Sequence, residues 1–139
     1  MSTAALDIRI DRKAYPASSG GESRVAIKNL KLSVSESEFL CIVGPSGCGK
    51  TTLLNLVAGI DRDATGSVTL KNGQTLDSIR VSYMFQTPRL LPWMTVRENV
   101  RVVLDEATAK DGRAEQLLER MDLADSLNEF PNRLSGGMQ

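Results

Sequence analysis

The chain has 139 residues, close to the length of one ordinary domain, with 17 basic and 17 acidic side chains and no histidine. Zero net charge argues against a dedicated nucleic-acid binder, which needs basic surface to replace phosphate counterions. No apolar run approaches the roughly 18 residues needed to span a bilayer, and the absence of histidine excludes histidine-based acid–base catalysis and histidine metal ligands. An apolar content of 41% and a charged content of 24% exclude a disordered or fibrous chain.

Two cysteines, Cys41 and Cys48, are too few for a disulfide framework, which fits a reducing compartment. Cys41 lies inside the apolar run 39–43, where we expect it to act as a small buried hydrophobe.

Two strands are predicted near the N-terminus. Apolar and polar residues alternate at Leu6, Ile8 and Ile10, and the segment 25–34 shows a similar alternation with one slip at Asn29. The small and helix-breaking residues of 16–21 indicate a loop between them.

The next element has a different pattern. Residues 39–43 are apolar at every position, which is typical of a strand covered on both faces of an α/β sheet. Glycines follow at once, and residues 51–60 then place leucines, valine and isoleucine at helical spacings. The order is therefore strand, glycine-rich turn and helix.

Further elements follow in the second half. Segments 67–70 and 79–86 are predicted strands, with an Asn-Gly turn at 72–73 after the first. Thr95 and Glu98 form the pattern of a capping box, so a helix should begin there. Helical spacing recurs over 114–121, and Pro131 should end any helix that precedes it.

One motif carries chemistry. Residues 44–51 match the P-loop pattern G-x-x-x-x-G-K-[ST], in which backbone N–H groups and a helix N-terminus cradle phosphates. Lys50 would place its ammonium against the β- and γ-phosphates, and the Thr51 hydroxyl would ligate Mg²⁺. The eight residues are Gly44, Pro45, Ser46, Gly47, Cys48, Gly49, Lys50 and Thr51.

Other interpretations of this stretch stay open. The glycines could build no more than a tight turn, with Lys50 a solvated surface charge. Cys48 is either a filler inside the loop or a thiol made acidic by the helix N-terminus.

With its neighbours, this motif resembles the ATP-binding cassette (ABC) ATPases, from about Leu6 to Gln139. The stretch 44–54, which includes Thr52, is similar to that family's Walker A motif. Residues 134–139 are similar to its LSGGQ-type signature, and Gln86 resembles the Q-loop glutamine. The order and spacing of all three agree with the family.

The resemblance implies a fold and its boundaries. The expected fold is α/β, a P-loop NTPase (RecA-like) core with an N-terminal antiparallel β subdomain and the start of a helical subdomain. Residues 1–38 and 67–86 would be mainly β, and residues 39–60 would supply strand, P-loop and helix. Residues 87–94 would form the Q-loop, and residues 95–139 a helical subdomain ending in the signature.

The resemblance also implies roles for individual residues. Tyr15 resembles the aromatic residue that stacks on adenine, although a tyrosine at the end of a strand explains it too. Ser135, Gly136 and Gly137 resemble the groups that contact ATP held by the opposite subunit of a head-to-tail dimer, unless they form an ordinary turn. Lys50 and Gln86 would be catalytic, with Gln86 joining Thr51 at the Mg²⁺.

The stretch 90–100 is similar to the nitrate/sulfonate/taurine branch of ABC importers, where this region meets the permease. Trp93 would lie at that contact or, equally, be a core aromatic at a helix start. The implied function is the ATP-binding subunit of an importer, on the cytoplasmic face of the membrane. Its implied partners are a second ATPase subunit, the permease and, indirectly, a solute-binding protein, with ATP and Mg²⁺ as cofactors and no nucleic acid.

The chain departs from the family after the signature. In the family, a Walker B strand and a switch histidine follow the signature. The Walker B strand lies next to the strand expected at 39–43 in the family's sheet. Neither the Walker B strand nor the switch histidine occurs in these residues. Two hypotheses remain: the N-terminal part of an importer ATPase, or a short nucleotide-binding module that binds ATP or a partner ATPase without turnover. Because the sequence stops within the signature, with no helix cap or polar tail after Gly136 and Gly137, we expect the first. We expect these 139 residues alone to lack hydrolysis.

Overall fold

A computed structural model describes residues 4–17, 21–70, 73–104 and 111–139. The chain divides into two compact units, Met1–Tyr83 and Met84–Gln139. Each unit is built around its own small set of buried apolar side chains.

The first unit contains a three-stranded antiparallel sheet with the strand order β2-β1-β3. Its strands are β1 (Ala4–Tyr15), β2 (Arg24–Ser35) and β3 (Thr65–Leu70). Ile8 of the central strand lies opposite Leu32 on one side and Val68 on the other. The three strands predicted from alternation at 6–10, 25–34 and 67–70 are thus confirmed.

Several irregularities interrupt this sheet, including the following two. Asn29 has a φ of 52°, at the position where the alternation of β2 slips. The pairing of β1 with β3 shifts between Ile10 and Arg12, beside Gly66 with a φ of 130°. Such a bulge changes which side chains of β1 face the core beyond Ile10.

Helix α1 (Lys50–Val57) packs on the sheet through its apolar face. Leu53 and Leu56 are buried with Ile8 and Ile10 of β1, and Leu6, Ile27, Leu30, Leu32, Val57, Ala64 and Val68 pack around them. The predicted helix at 51–60 is confirmed, although it ends three residues early. A turn follows Val57, in which Gly59 has a φ of 70°.

The predicted buried strand at 39–43 is wrong. These residues form no strand pairing, and Phe39 and Val43 are 93% and 87% exposed. A strand needs a hydrogen-bonded neighbour, and no other segment among the described residues pairs with this one. Cys41 is correspondingly exposed, so the expectation that it is buried is wrong too.

The predicted strand at 79–86 is also absent from the described structure. After a short 3₁₀ turn at Leu76–Ser78 the chain continues without pairing, and Met84 is 95% exposed. The Tyr83 hydroxyl donates to Oδ1 of Asn55 at 2.8 Å, which ties this segment to α1 by a side chain instead. Residues 67–86 are therefore less β-rich than expected. The predicted Asn-Gly turn begins at Asn72, outside the described residues.

The second unit is helical. Among its described residues, 84–104 and 111–139, the helices are α2 (Val96–Arg101) and α3 (Arg113–Arg120), and 3₁₀ turns follow at Ala124–Ser126 and Pro131–Arg133. Val96, Ala114 and Leu118 are its buried apolar side chains. Within the described ranges, no helix has both the length and the apolar character needed to cross a membrane.

Local signals predicted both helix positions. The Thr95 hydroxyl accepts from the Glu98 N–H at 3.3 Å, and Oε2 of Glu98 accepts from the Thr95 N–H at 2.7 Å. This is the complete capping box, and it holds the first turn of α2. Helix α3 confirms the helical spacing read over 114–121.

Candidate functional site: the P-loop and its surroundings

The N-terminus of α1 is open to a ligand. The helix begins at Lys50 after Gly49, with no side-chain cap and no acidic residue in its first turn. Its first N–H groups therefore keep their hydrogen-bonding capacity, and the positive end of the helix dipole is not neutralised locally. This end of the helix favours an anion.

Gly49 brings the loop close to the sheet. Its φ is 97°, and a Cβ there would lie 2.7 Å from the Ala26 carbonyl oxygen of β2. Gly47 is also left-handed, with a φ of 79°. Only glycine adopts such conformations readily, so the loop can curl and turn its amides inward.

Lys50 is held at the loop by the loop itself. Its ammonium donates to the carbonyl oxygens of Gly44 and Pro45, each at 2.7 Å, and lies 3.7 Å from Sγ of Cys48. The side chain is half-buried. Its positive charge is thus concentrated over residues 44–48.

The other loop residues have simpler surroundings. The Cys48 N–H donates to the Pro45 carbonyl at 3.4 Å, and a Cβ on Gly44 would meet the Cys48 thiol at 2.8 Å. This packing agrees with Cys48 as a filler of the loop. Ser46 and Thr51 are exposed.

Tyr15 lies beside the P-loop helix. Its hydroxyl is 3.3 Å from Oγ1 of Thr52 and 3.4 Å from Oδ2 of Asp61, and its side chain is 39% exposed. The structure therefore brings together two predicted site residues, Tyr15 and Thr52, that are 37 positions apart.

The signature segment forms an exposed turn in the second unit. The Met138 and Gln139 N–H groups both donate to the Ser135 carbonyl, at 2.9 and 3.2 Å. A Cβ on Gly136 or Gly137 would meet nothing within 4 Å, so this turn is accessible.

The family model described as "ABC transporter" matches residues 27–139. The chain belongs to the ABC transporter family.

Curated relatives agree with that family. The chain is 44% identical over 135 residues to an aliphatic sulfonates import ATP-binding protein, SsuB 2, of Burkholderia cenocepacia, covering 96% of this chain and 47% of the relative. It is 39% identical over 137 residues to SsuB of Bacillus subtilis, covering 96% and 52%. The chain thus spans about half the length of these relatives.

Solved structures share the fold. The ATP-binding cassette MJ0796, as a dimer in a post-hydrolysis state bound to ADP and phosphate, superposes with a TM-score of 0.77 at 32% identity. The match covers 96% of this chain and 64% of that one. The chain therefore has the fold of an ABC ATPase cassette, with the antiparallel sheet and P-loop helix of its core.

The residues present fit a nucleotide phosphate. The left-handed Gly47 and Gly49 let the loop curl, the helix N-terminus is uncapped, and Lys50 supplies the positive charge. Thr51 lies next to that lysine and offers an exposed hydroxyl, a hard oxygen ligand of the kind that Mg²⁺ accepts beside phosphates and water.

Gln86 and Trp93 both lie in the second unit of this ABC cassette. Gln86 is exposed on a bend that follows the segment 79–85. Trp93 is 69% exposed, so its interpretation as a core aromatic is wrong. The structure presents it on a loop that precedes α2.

The sequence did not predict the ion pair between Lys13 and Asp61. The Lys13 side chain is only 2% exposed, and its ammonium lies 2.9 Å from Asp61 and 3.3 Å from Asp63. The alternation of β1 predicts that even-numbered residues face inward, which would leave Lys13 outside. The bulge after Ile10 reverses this parity, and alternation alone does not reveal a bulge.

Proposed function

We propose that this chain supplies the nucleotide-binding part of an ABC importer ATPase, which couples ATP binding and hydrolysis to the uptake of a small solute. The observation that carries the proposal is the uncapped N-terminus of α1, with Lys50 held over a left-handed glycine loop. The names of the relatives point to an aliphatic sulfonate, and we extend that solute class to this chain.

The phosphates would be held by the P-loop. Backbone N–H groups of residues 44–52 surround the phosphate oxygens, and Lys50 exchanges its loop carbonyls for the β- and γ-phosphates. Mg²⁺, when bound, neutralises the developing charge on the phosphates. The Thr51 hydroxyl would hold that ion.

The base would be held by Tyr15. Its ring is half exposed and its hydroxyl is anchored next to the P-loop helix, so one face can stack on adenine. Aromatic stacking on a base contributes about 1–3 kcal/mol.

The exposed turn at Ser135, Gly136 and Gly137 would contact ATP bound to a second ATPase subunit. Its accessible glycine amides suit a phosphate oxygen approaching from outside the chain. Trp93 would contact the permease, since a large exposed aromatic is typical of an interaction anchor. We infer from these proposed contacts a position at the cytoplasmic face of the membrane, with the solute-binding protein an indirect partner.

For these 139 residues taken alone, we propose nucleotide binding without turnover. Phosphoryl transfer to water needs a group that orients the attacking water, and the chain contains no histidine for the switch position. ATP hydrolysis above background that disappears in Lys50→Ala would contradict this proposal.

The central test is the affinity for Mg-ATP. Lys50→Ala should weaken binding of a fluorescent ATP analogue at least about tenfold, or roughly 1.4 kcal/mol, because the loop loses the positive charge that would contact the phosphates. Lys31→Ala, which removes an exposed lysine of β2, is the matched control and should bind as the wild type does. Equal affinities for wild type and Lys50→Ala would sink the phosphate-binding role.

A further inference from the structure

Lys13 is a buried charge whose ammonium is paired with carboxylates. Its ammonium donates to Oδ1 of Asp61 at 3.0 Å and to Oδ2 of Asp63 at 3.3 Å. Burial alone would lower the pKa of Lys13, but the hydrogen bonds and charges of both carboxylates outweigh that effect and raise the pKa. Lys13 is therefore a cation at neutral pH.

The same ammonium lies on the ring of Tyr15. Its Nζ is 4.7 Å from the ring centroid, within the range of a cation–π contact. One face of the ring is thus occupied by a buried, fixed cation. Tyr15 as a residue nevertheless remains 39% exposed, so part of its surface is accessible to a base.

Asp61 connects the cation and the ring. Its carboxylate accepts from Lys13 and also lies 3.4 Å from the Tyr15 hydroxyl, which in turn is 3.3 Å from Oγ1 of Thr52. The ring is therefore fixed on one face by Lys13 and at its hydroxyl by two groups. Because Thr52 is in the first turn of α1, these contacts fix the ring relative to the P-loop.

We propose that Lys13, braced by Asp61, is a positioning residue for the nucleotide base: it holds the Tyr15 ring in place for stacking. This inference rests on the proposed function, since it assumes that the chain binds a nucleotide through the P-loop. Lys13 itself touches no nucleotide. It acts by fixing the ring before binding and so reduces the ordering that binding would otherwise require.

A purely structural lysine would have a different signature. Loss of a residue that only stabilises the sheet weakens every ligand alike, because the folded population falls. Loss of a base-positioning residue weakens ligands that carry a base and spares ligands that carry only phosphates.

The test compares Mg-ATP with Mg-tripolyphosphate, which displaces a fluorescent ATP analogue but has no base. Lys13→Met keeps the length of the side chain and removes its charge. We expect it to weaken ATP binding about three- to tenfold while tripolyphosphate binding stays within about twofold of wild type. Lys13→Arg should recover most of the ATP affinity, and Lys31→Met, at an exposed site of β2, should change neither ligand.

Two further variants protect the test against a folding defect. Asp61→Asn keeps the size of the side chain but removes its charge, and it should produce the same selective loss. In Tyr15→Ala, adding Lys13→Met should cause no further loss of ATP affinity, because the ring on which Lys13 acts is gone. Far-ultraviolet circular dichroism on each variant reports whether it is folded.

The outcomes separate the two proposals. If the wild type binds neither ATP nor tripolyphosphate, the proposed function fails and this inference fails with it. If the wild type binds both, but Lys13→Met and Asp61→Asn weaken both ligands equally or neither at all, only the positioning role of Lys13 is overturned.

Discussion

The side-chain amide of Asn99 and the backbone of Leu91 form a reciprocal hydrogen-bonded pair. Oδ1 of Asn99 accepts from the Leu91 N–H at 2.7 Å, and Nδ2 donates to the Leu91 carbonyl at 3.1 Å. The same Nδ2 lies 3.0 Å from the carbonyl oxygens of Met94 and Thr95. One side chain of α2 therefore closes both ends of the loop that presents Trp93.

Replacing Asn99 should release this loop. In Asn99→Ala the loop loses all of these side-chain contacts, at a net cost of about 1–2 kcal/mol of unfolding free energy. Asn99→Asp should lower the free energy of unfolding at least as much. It keeps the acceptor for the Leu91 N–H, but it places a carboxylate against backbone carbonyl oxygens that repel it. Trp93 is the single tryptophan, so its fluorescence anisotropy reports the motion of this loop directly, and it should fall in both variants.

The matched control is Asn128→Ala, which removes an exposed asparagine of the same unit. Its anisotropy and urea midpoint should match those of the wild type. An Asn99→Ala protein with unchanged tryptophan anisotropy would show that the loop is held by other contacts.

Gly66 should tolerate no side chain. Its φ is 130°, and a Cβ there would overlap the backbone of Arg9 and Ile10 in the neighbouring strand. Gly66→Ala should therefore lower the unfolding free energy by about 2–4 kcal/mol, through strain at the bulge of the central strand. Thermal unfolding followed by circular dichroism measures the effect.

Gly21→Ala is the comparison for this variant. A Cβ at Gly21 would meet only the Ala17 side chain, at an ordinary 3.6 Å, so its melting temperature should stay near the wild-type value. If Gly66→Ala and Gly21→Ala had the same melting temperature, backbone crowding at Gly66 would not determine the stability of the fold.

The free energy of unfolding should fall at acid pH, because two carboxyl groups have a lower pKa in the folded state than in the unfolded state. The hydrogen bond from Lys13 is the main cause that lowers the pKa of Asp61, and the backbone N–H of Thr95 is the main cause that lowers the pKa of Glu98. A depressed pKa contributes stability above the unfolded-state value and loses it as pH falls through the folded-state value. The loss should therefore begin below about pH 4–5.

Urea midpoints measured across this pH range test the assignment. Asp61→Asn and Glu98→Gln should each give a shallower decline than the wild type, because each removes one of the two groups that take up a proton on unfolding. If the urea midpoints of both variants declined with falling pH as steeply as that of the wild type, this assignment would be contradicted.

The sequence predicted those features that depend on nearby residues. The capping box at Thr95 and Glu98 and the alternation around Ile8 lie within a few positions, and the structure contains both. The glycine–lysine spacing of the P-loop is equally local. In each case, the contacts that create the structure are made by residues that the pattern itself contains.

The features that were missed depend on distant partners. A wholly apolar run such as 39–43 predicts a strand only if another segment supplies its hydrogen bonds, and the run itself carries no information about that neighbour. Lys13 faces the core because of a bulge opposite Gly66, more than 50 positions along the chain. Its pairing with Asp61 could therefore not be read from its own strand.

The exposed segment 39–43 should make the chain associate with itself. Phe39 and Val43 are 93% and 87% exposed, and the unpaired backbone between them can add to a second strand. We expect the wild-type chain to form oligomers that grow with concentration in sedimentation velocity, and to bind 8-anilinonaphthalene sulfonate.

The double variant Phe39→Ser, Val43→Ser should reduce both signals. Val103→Ser, at a position 81% exposed in the other unit, serves as the control and should reduce neither. A wild-type chain that sediments as a monomer at every concentration and binds no dye would show that this segment is not a self-association site.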